Sequence, residues 1–332
     1  MVVTIWAVIL ARTRVVEAAH QVPAVIVAGP DALADWRQHP FLMFSSTAPD
    51  DSYGKIGIVP LDHPDGPRYI TSLECIRVYF AAGHGLCLDG HRGDIVPTFT
   101  VDMFDDQFET RPSFHGTRLA GPPSRARIAP DGQYAATTAF AAGDGYAARS
   151  FSTRTTLMQM DNSTIVGDLE QFTIWRDGTP LQSPDFNFWG VTFSRDSGHF
   201  FATLGTGGTT YLIEGDVATR QASVLLENVE CPSLSPDGGR LVFKERVSGK
   251  GRTTVWQLTM LDLATLSRLP LTAESRSVDD QVEWLDERHI LYGLPDDPGG
   301  GFSLTNIWVL AVDDGSPPRV FIPQAWSPAV VR

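Results

Sequence analysis

Three cysteines in 332 residues are too few for a disulfide scaffold. Cations are also in short supply. With 26 Lys and Arg against 39 Asp and Glu, the net charge is -13. A nucleic-acid partner is therefore not expected, because phosphate repulsion would have to be overcome locally. The chain lacks a G-x-S-x-G elbow, an H-E-x-x-H pair, a P-loop and a dinucleotide fingerprint, which excludes the enzyme classes built on those local spacings. It also lacks low-complexity tracts. Its apolar N-terminal stretch, Val2 to Ala11, is half the ~20 residues that a membrane-spanning helix needs.

What the chain has in quantity is turn residues, with 30 Gly and 23 Pro. They fall into a recurring phrase: apolar strand, Ser-Pro-Asp-Gly-type turn, apolar strand. The clearest copy is Leu234-Ser235-Pro236-Asp237-Gly238, before Arg240-Leu241-Val242-Phe243. Others are Ile128-Ala129-Pro130-Asp131-Gly132 and Phe193-Ser194-Arg195-Asp196-Ser197-Gly198. A variant runs Ala82-Gly83-His84-Gly85, a decayed copy Trp284-Leu285-Asp286-Glu287-Arg288, and a last one starts at Trp326-Ser327-Pro328.

A large apolar residue precedes each turn: Phe80, Ile128, Phe193, Leu234, Trp284 and Trp326. Two positions earlier stand Val78, Ala126, Val191, Pro232, Val282 and Gln324. Such alternation suits a strand packed between neighbouring sheets. The spacing fits four-stranded blades of roughly 40–50 residues, and predicts third strands near 55–61, 95–103, 155–160, 209–213, 254–261 and 306–312. The interval from Ala129 to Ser194 is long enough for an insertion, with Gly143–Ser150 and Gly178–Pro184 as candidate loops. The first blade, near Phe41 to Thr71, has no inner strand before it, and Gln324–Arg332 supplies one at the other end. The expected fold is an all-β, six-bladed β-propeller of four-stranded antiparallel blades, its ring closed by the C-terminal strand joining the N-terminal blade.

Residues 38–332 form the propeller in this reading, and residues 1–37 an N-terminal arm. Arg12 and Arg14 follow the apolar stretch rather than precede it, unlike a secretory signal. Two readings stay open: the remnant of a membrane-targeting segment, or a short helix or disordered arm. Gln21 to Pro30 reads as a linker.

Glu230-Cys231-Pro232-Ser233-Leu234-Ser235-Pro236-Asp237-Gly238 resembles the repeat core of the TolB-like propeller family, also called WD40-like or PD40. The phrases Asp185–Phe193 and Asp279–Leu285 are similar to an actinomycete TolB-like group. The resemblance spans roughly residues 38–332. It implies a protein-interaction role, extracytoplasmic or membrane-associated, with membrane contact only through the N-terminus. Unlike TolB itself, no separate α/β domain is expected before the propeller.

Propellers bind partners where loops enter the inner strands. Those positions are Ile76-Arg77, Ser124-Arg125, Trp189-Gly190, Glu230-Cys231, Asp280-Gln281 and Ile322-Pro323, with Asn187 and Asp279 just outside. The candidate binding set is Arg77, Arg125, Asn187, Trp189, Glu230, Asp279 and Asp280. Arginine forks suit carboxylates, and an exposed Trp189 would anchor a peptide. The same charges, Arg77, Glu230 and Asp280, are equally readable as pairing with one another across blades. Asp279, Asp280 and Glu230 offer oxygen ligands, but without EF-hand spacing, so no metal and no cofactor is expected. His20, His39, His63, His115, His199 and His289 are scattered, and His84 reads as a turn residue. His91 and Arg92 read as an ordinary loop on the mouth side. Asn162-Ser163-Thr164 is a chance-level sequon. Gly205–Gly208 and Gly299–Gly301 lie between strands rather than ahead of a helix.

If Cys87 faces Phe80 across the hairpin, Cys75 lies about five residues further along, at ~3.3 Å each. That exceeds the ~7 Å reach of a disulfide, so free buried thiols are expected. The functional expectation is a monomeric, non-enzymatic scaffold that binds a peptide or protein at the tunnel mouth. The alternative is a lyase or hydrolase acting on a sugar or peptide, with Arg77, Arg125, Glu230 and Asp280 in the tunnel and an acidic residue as base.

Overall fold

The computed structural model describes residues 26–91, 97–111, 116–141, 152–295 and 304–332. The readings placed on residues 1–25, on Arg92, on His115, on Gly143–Ser150 and on Gly299–Gly301 lie outside the described residues, as does the His91 side chain.

Short strands with apolar residues on both faces need a sheet on either side. Here six sheets supply them, each formed largely by consecutive strands. From the inside outward, blade 2 is Arg77–Ala81, His84–His91, Thr98–Phe104 and Thr117–Arg118. Blade 3 is Pro123–Ile128, Tyr134–Ala141, Ser152–Gln159 and Thr164–Asp168. Blade 4 is Asn187–Phe193, His199–Thr206, Thr209–Asp216 and Gln221–Glu227. Blade 5 is Glu230–Leu234, Arg240–Ser248, Val255–Asp262 and Arg268–Pro270. Blade 6 is Glu283–Trp284, His289–Pro295, Thr305–Ala311 and Arg319–Ile322. Blade 1 takes its inner strand, Ala325–Val331, from the C-terminal end and continues with Phe41–Ser46, Lys55–Pro60 and Tyr69–Glu74. Closure is antiparallel, with Leu42 opposite Val330 and Ser46 opposite Ala325. The protein is a six-bladed β-propeller.

Alternate residues of one strand face alternate neighbours, and each interface between blades has its own core. Phe41 and Met43 pack toward blade 2, while Leu42 and Phe44 pack toward blade 6. Phe200 serves the interface of blades 3 and 4, and the adjacent Phe201 serves that of blades 4 and 5. Helix Pro30–Trp36 lays Leu33 against the core between blades 1 and 2.

The recurring turn owes its shape to one carboxylate. Gly238 N donates to Ser235 O at 2.9 Å, and Asp237 Oδ1 accepts from Ser235 Oγ and Gly239 N. Gly238 has φ of 79°, the left-handed conformation that the turn demands. In blade 4 that position is Ser197, at φ 56°, and its hydroxyl donates to Asp131 of the blade 3 turn. The hydrogen bonds from Ser194 and His199 bring the Asp196 carboxyl down to about 2.

Three details differ from the sequence reading. Trp326-Ser327-Pro328 is the body of the closing strand, not a turn, because that strand must run the full length of Phe41–Ser46. Pro328 is tolerated there because an innermost strand has one unpaired edge. The insertion in the long interval is a hairpin, Thr173–Arg176 and Thr179–Leu181. It adds to the outer edge of blade 4 through a parallel pairing with Gln221–Glu227, rather than enlarging blade 3.

The cysteine expectation is overturned, since Cys75 and Cys87 form a disulfide with Cα atoms 5.2 Å apart. The turn at Ala82-Gly83 has only two central residues, both at positive φ. It therefore sets Cys87 opposite Val78 rather than Phe80. The chain also bends at Cys75–Ile76, where Ile76 N still reaches Leu88 O at 2.8 Å. Cys231 is a buried free thiol, as expected.

The bridge ties residues 12 apart in sequence, a loop whose closure is worth about 3 kcal/mol. Unfolded, unreduced protein should titrate one thiol, Cys231. Cys75→Ser with Cys87→Ser should lower unfolding stability by about 3 kcal/mol in urea. Three titratable thiols before reduction would contradict the bridge.

Candidate functional site

The inner strands start on one face of the ring, here the entry face, and their tunnel-facing side chains form two charged layers. In the upper layer Asp280 is the hub and is 1% exposed. Arg77 Nη1 donates to its Oδ1 at 3.1 Å, and Arg125 Nη2 lies 3.6 Å from the same oxygen. The other carboxylate oxygen, Oδ2, accepts from Gly293 N at 3.2 Å. Arg77 also stacks on the Trp326 ring at 4.3 Å. Arg125 donates to Ser124 O at 2.8 Å and approaches the Cys231 thiol at 3.9 Å. Burial, with Arg125 alongside, brings the Arg77 guanidinium down to about 10, so it stays charged at neutral pH.

Beside this hub run two more ion pairs. Lys244 is buried and pairs with exposed Asp279, and Arg246 pairs with Glu230 at 3.2 Å. Burial raises the Glu230 carboxyl despite Lys244 and Arg246. Partial loss of water around the exposed Asp279 works upward too, yet Lys244 wins and holds the group below its ordinary value. Gln281 crosses the tunnel, its amide donating to the carbonyls of Val191 at 3.1 Å and Pro232 at 2.8 Å.

The lower layer was not anticipated. Arg127 pairs with Glu283 and donates to Val282 O at 3.1 Å, while Tyr79 donates to Glu283 at 3.3 Å. Burial and Glu283 push the Tyr79 hydroxyl up to about 12. A signal for this layer was present. Tyr79, Arg127 and Glu283 stand two residues beyond Arg77, Arg125 and Gln281, on the same strand face. Lys244 and Arg246, from second strands, carried no such signal.

Of the seven candidates, Arg77, Arg125 and Asp280 converge in the tunnel, with Glu230 and Asp279 in flanking pairs. Asn187 does not join them. Its Oδ1 accepts from Thr153 N at 2.8 Å and ties blade 4 to blade 3. Trp189 is not the exposed anchor that the sequence suggested. It is buried, and its ring lies over Gly205, where a Cβ would collide with it.

Between the charged layers lies a space of ≈ 20 Å³, room for about one water. Above them, on the entry face, a recess of ≈ 310 Å³ opens between blades 1 and 2, lined in part by Tyr53, Glu74, Asp89 and Trp326. Glu74 and Asp89 have no ion-pair partner among the described residues. Nor, among the described residues, do three or more His, Cys, Asp or Glu side chains group as metal ligands.

These features define a closed six-bladed propeller with a charge-plugged tunnel. The fold is that of TolB-like proteins. TolB from Acinetobacter baumannii superposes with a TM-score of 0.60 at 14% identity, over 88% of this chain and 67% of that one. A chain of a nidogen/laminin complex gives 0.56 at 12% identity, over 88% and 98%. An oligogalacturonate lyase in complex with manganese gives 0.50 at 11%, over 78% and 72%. No protein-family model and no curated protein matches the sequence.

Removing the hub takes from two largely buried guanidiniums the one carboxylate within ion-pair distance among the described residues. Asp280→Ala should cost about 3–5 kcal/mol in urea unfolding. Asp279→Ala, at a side chain 69% exposed, should cost less than about 1 kcal/mol. A loss below 1 kcal/mol for Asp280→Ala would show that the plug is not a structural unit.

Proposed function

We propose that this chain is a non-enzymatic, TolB-like binding scaffold that holds a peptide or protein partner on its entry face. The observation that carries this reading is the closed tunnel. Glu230 and Asp280, the carboxylates that a lyase or hydrolase would draw on, are already paired with arginines, and the space between the charged layers admits about one water. What remains on that side is a surface for contact rather than a shaft for a substrate.

The entry-face recess, with Glu74 and Asp89 lacking an ion-pair partner among the described residues and two aromatic rings beside them, favours a partner carrying a basic segment. This reading keeps the resemblance to the actinomycete TolB-like group. The N-terminal arm up to residue 37 would provide any membrane attachment to a monomeric propeller of residues 38–332. The Cys75–Cys87 bridge favours an oxidising, extracytoplasmic compartment.

The test is capture of a partner from a cell-envelope extract, identified by mass spectrometry. Glu74→Lys with Asp89→Lys should reduce capture at least about tenfold through like-charge repulsion. Glu214→Gln, at an exposed position on the third strand of blade 4, should leave it intact. Equal capture by the double variant would rule out the entry face as the binding surface.

A further inference from the structure

A second opening lies on the turn side of the ring, where the inner strands end. A cavity of ≈ 230 Å³ there draws residues from all six blades, above the floor made by Tyr79, Arg127 and Glu283. Its lining carries the guanidiniums of Arg127, Arg195 and Arg332 against one acidic side chain, Glu283. The remaining wall is largely apolar, including Phe193, Leu234 and Trp284 with the turn prolines Pro130 and Pro236.

Two observations indicate unspent donors. Arg127 is 7% exposed, and its Nε has no hydrogen-bond partner although both terminal nitrogens are used. Such an orphaned buried donor is uncommon in a folded protein. Arg195 and Arg332 bond only to carbonyls, those of Pro236, Trp284 and Leu285. Neither has a carboxylate within ion-pair distance among the described residues. The entry-face recess shows the opposite imbalance, with Glu74 and Asp89 in its lining and no ion-pair partner for either among the described residues.

We propose that the turn-side cavity binds a carboxylate carried on a compact apolar or aromatic body, with Arg195 receiving the carboxylate, Arg127 adding charge from the floor, and Phe193 and Leu234 receiving the body. Arginine's planar fork matches a carboxylate, and its charge strengthens each bond. The volume limits the body to something near one aromatic side chain. The carboxylate could belong to a free acid or to the C-terminal residue of a peptide. This site is separate from the entry face and does not depend on the scaffold reading.

Isothermal titration with phenylacetate, phenylacetamide and inorganic phosphate tests the proposal. A short peptide ending in phenylalanine, with a free or an amidated terminus, distinguishes the two sources. Phenylacetate should bind at least about tenfold tighter than the isosteric amide, since bonds to a charged group are the stronger ones. It should also bind about tenfold tighter than phosphate, which lacks the apolar body. Arg195→Gln, at an exposed side chain whose loss should leave the melting curve unchanged, should weaken phenylacetate about five- to tenfold. Binding by the free acid alone supports a small-molecule ligand, and preference for the free-terminus peptide supports a peptide source. Equal affinity for acid and amide, equal affinity for phosphate, no binding of any probe at millimolar concentration, or an unaffected Arg195→Gln would overturn it.

Discussion

The pairing of Ala325–Val331 with Phe41–Ser46 is the constraint from which the other features follow. Each blade buries its apolar faces only against two neighbours, so an open ring would expose one face of blade 1 and one of blade 6. Closure creates the core of Leu42, Phe44, Leu291, Ile307 and Val330 between them. It also turns Phe41–Ser46 from an edge strand into one paired on both sides. Burial at ~25 cal/mol per Å² of apolar surface rewards that arrangement, and the remaining interfaces repeat it.

Closing six blades also brings their inner strands into contact around the axis. Side chains at alternate positions must then share a narrow space, and charges placed there have to meet partners. Asp280 with Arg77 and Arg125, and Glu283 with Arg127, are the outcome. Breaking such pairs is costly even where forming them gains little. The plug divides the ring into two faces of different character. Among the described residues, the entry side keeps carboxylates without an ion-pair partner at Glu74 and Asp89, and the turn side guanidiniums without one at Arg195 and Arg332. A single closed scaffold thus presents two chemically distinct surfaces.

Much of the fold was legible because the blade repeat is written in local chemistry. Turn residues at Ser235–Gly238 and the buried residue before each turn are short-range signals. The third strands fall within a few residues of where the alternation puts them. What escaped the sequence depends on register and on tertiary context. One tight turn at Ala82-Gly83 moved Cys87 by two positions and allowed a bridge that the longer turn would forbid. Ser327-Pro328 imitates the turn motif, but closure turns it into strand. Trp189 stands at an entry position like Arg77, yet Gly205 on the next strand leaves its ring a buried seat. The candidate site was half legible. The upper charge layer could be read from entry positions, and the lower one required following the same strands two residues further. The partners Lys244 and Arg246 come from second strands, which no inner-strand pattern identifies.

Hydrogen–deuterium exchange on Phe41–Ser46, compared with His199–Thr206 in the middle of blade 4, tests closure most directly. Both are second strands, and a closed ring predicts that both exchange only through global unfolding, at matching rates. If Phe41–Ser46 exchanges orders of magnitude sooner, it is a free edge. The ring would then be open, and the two faces inferred from it would not exist.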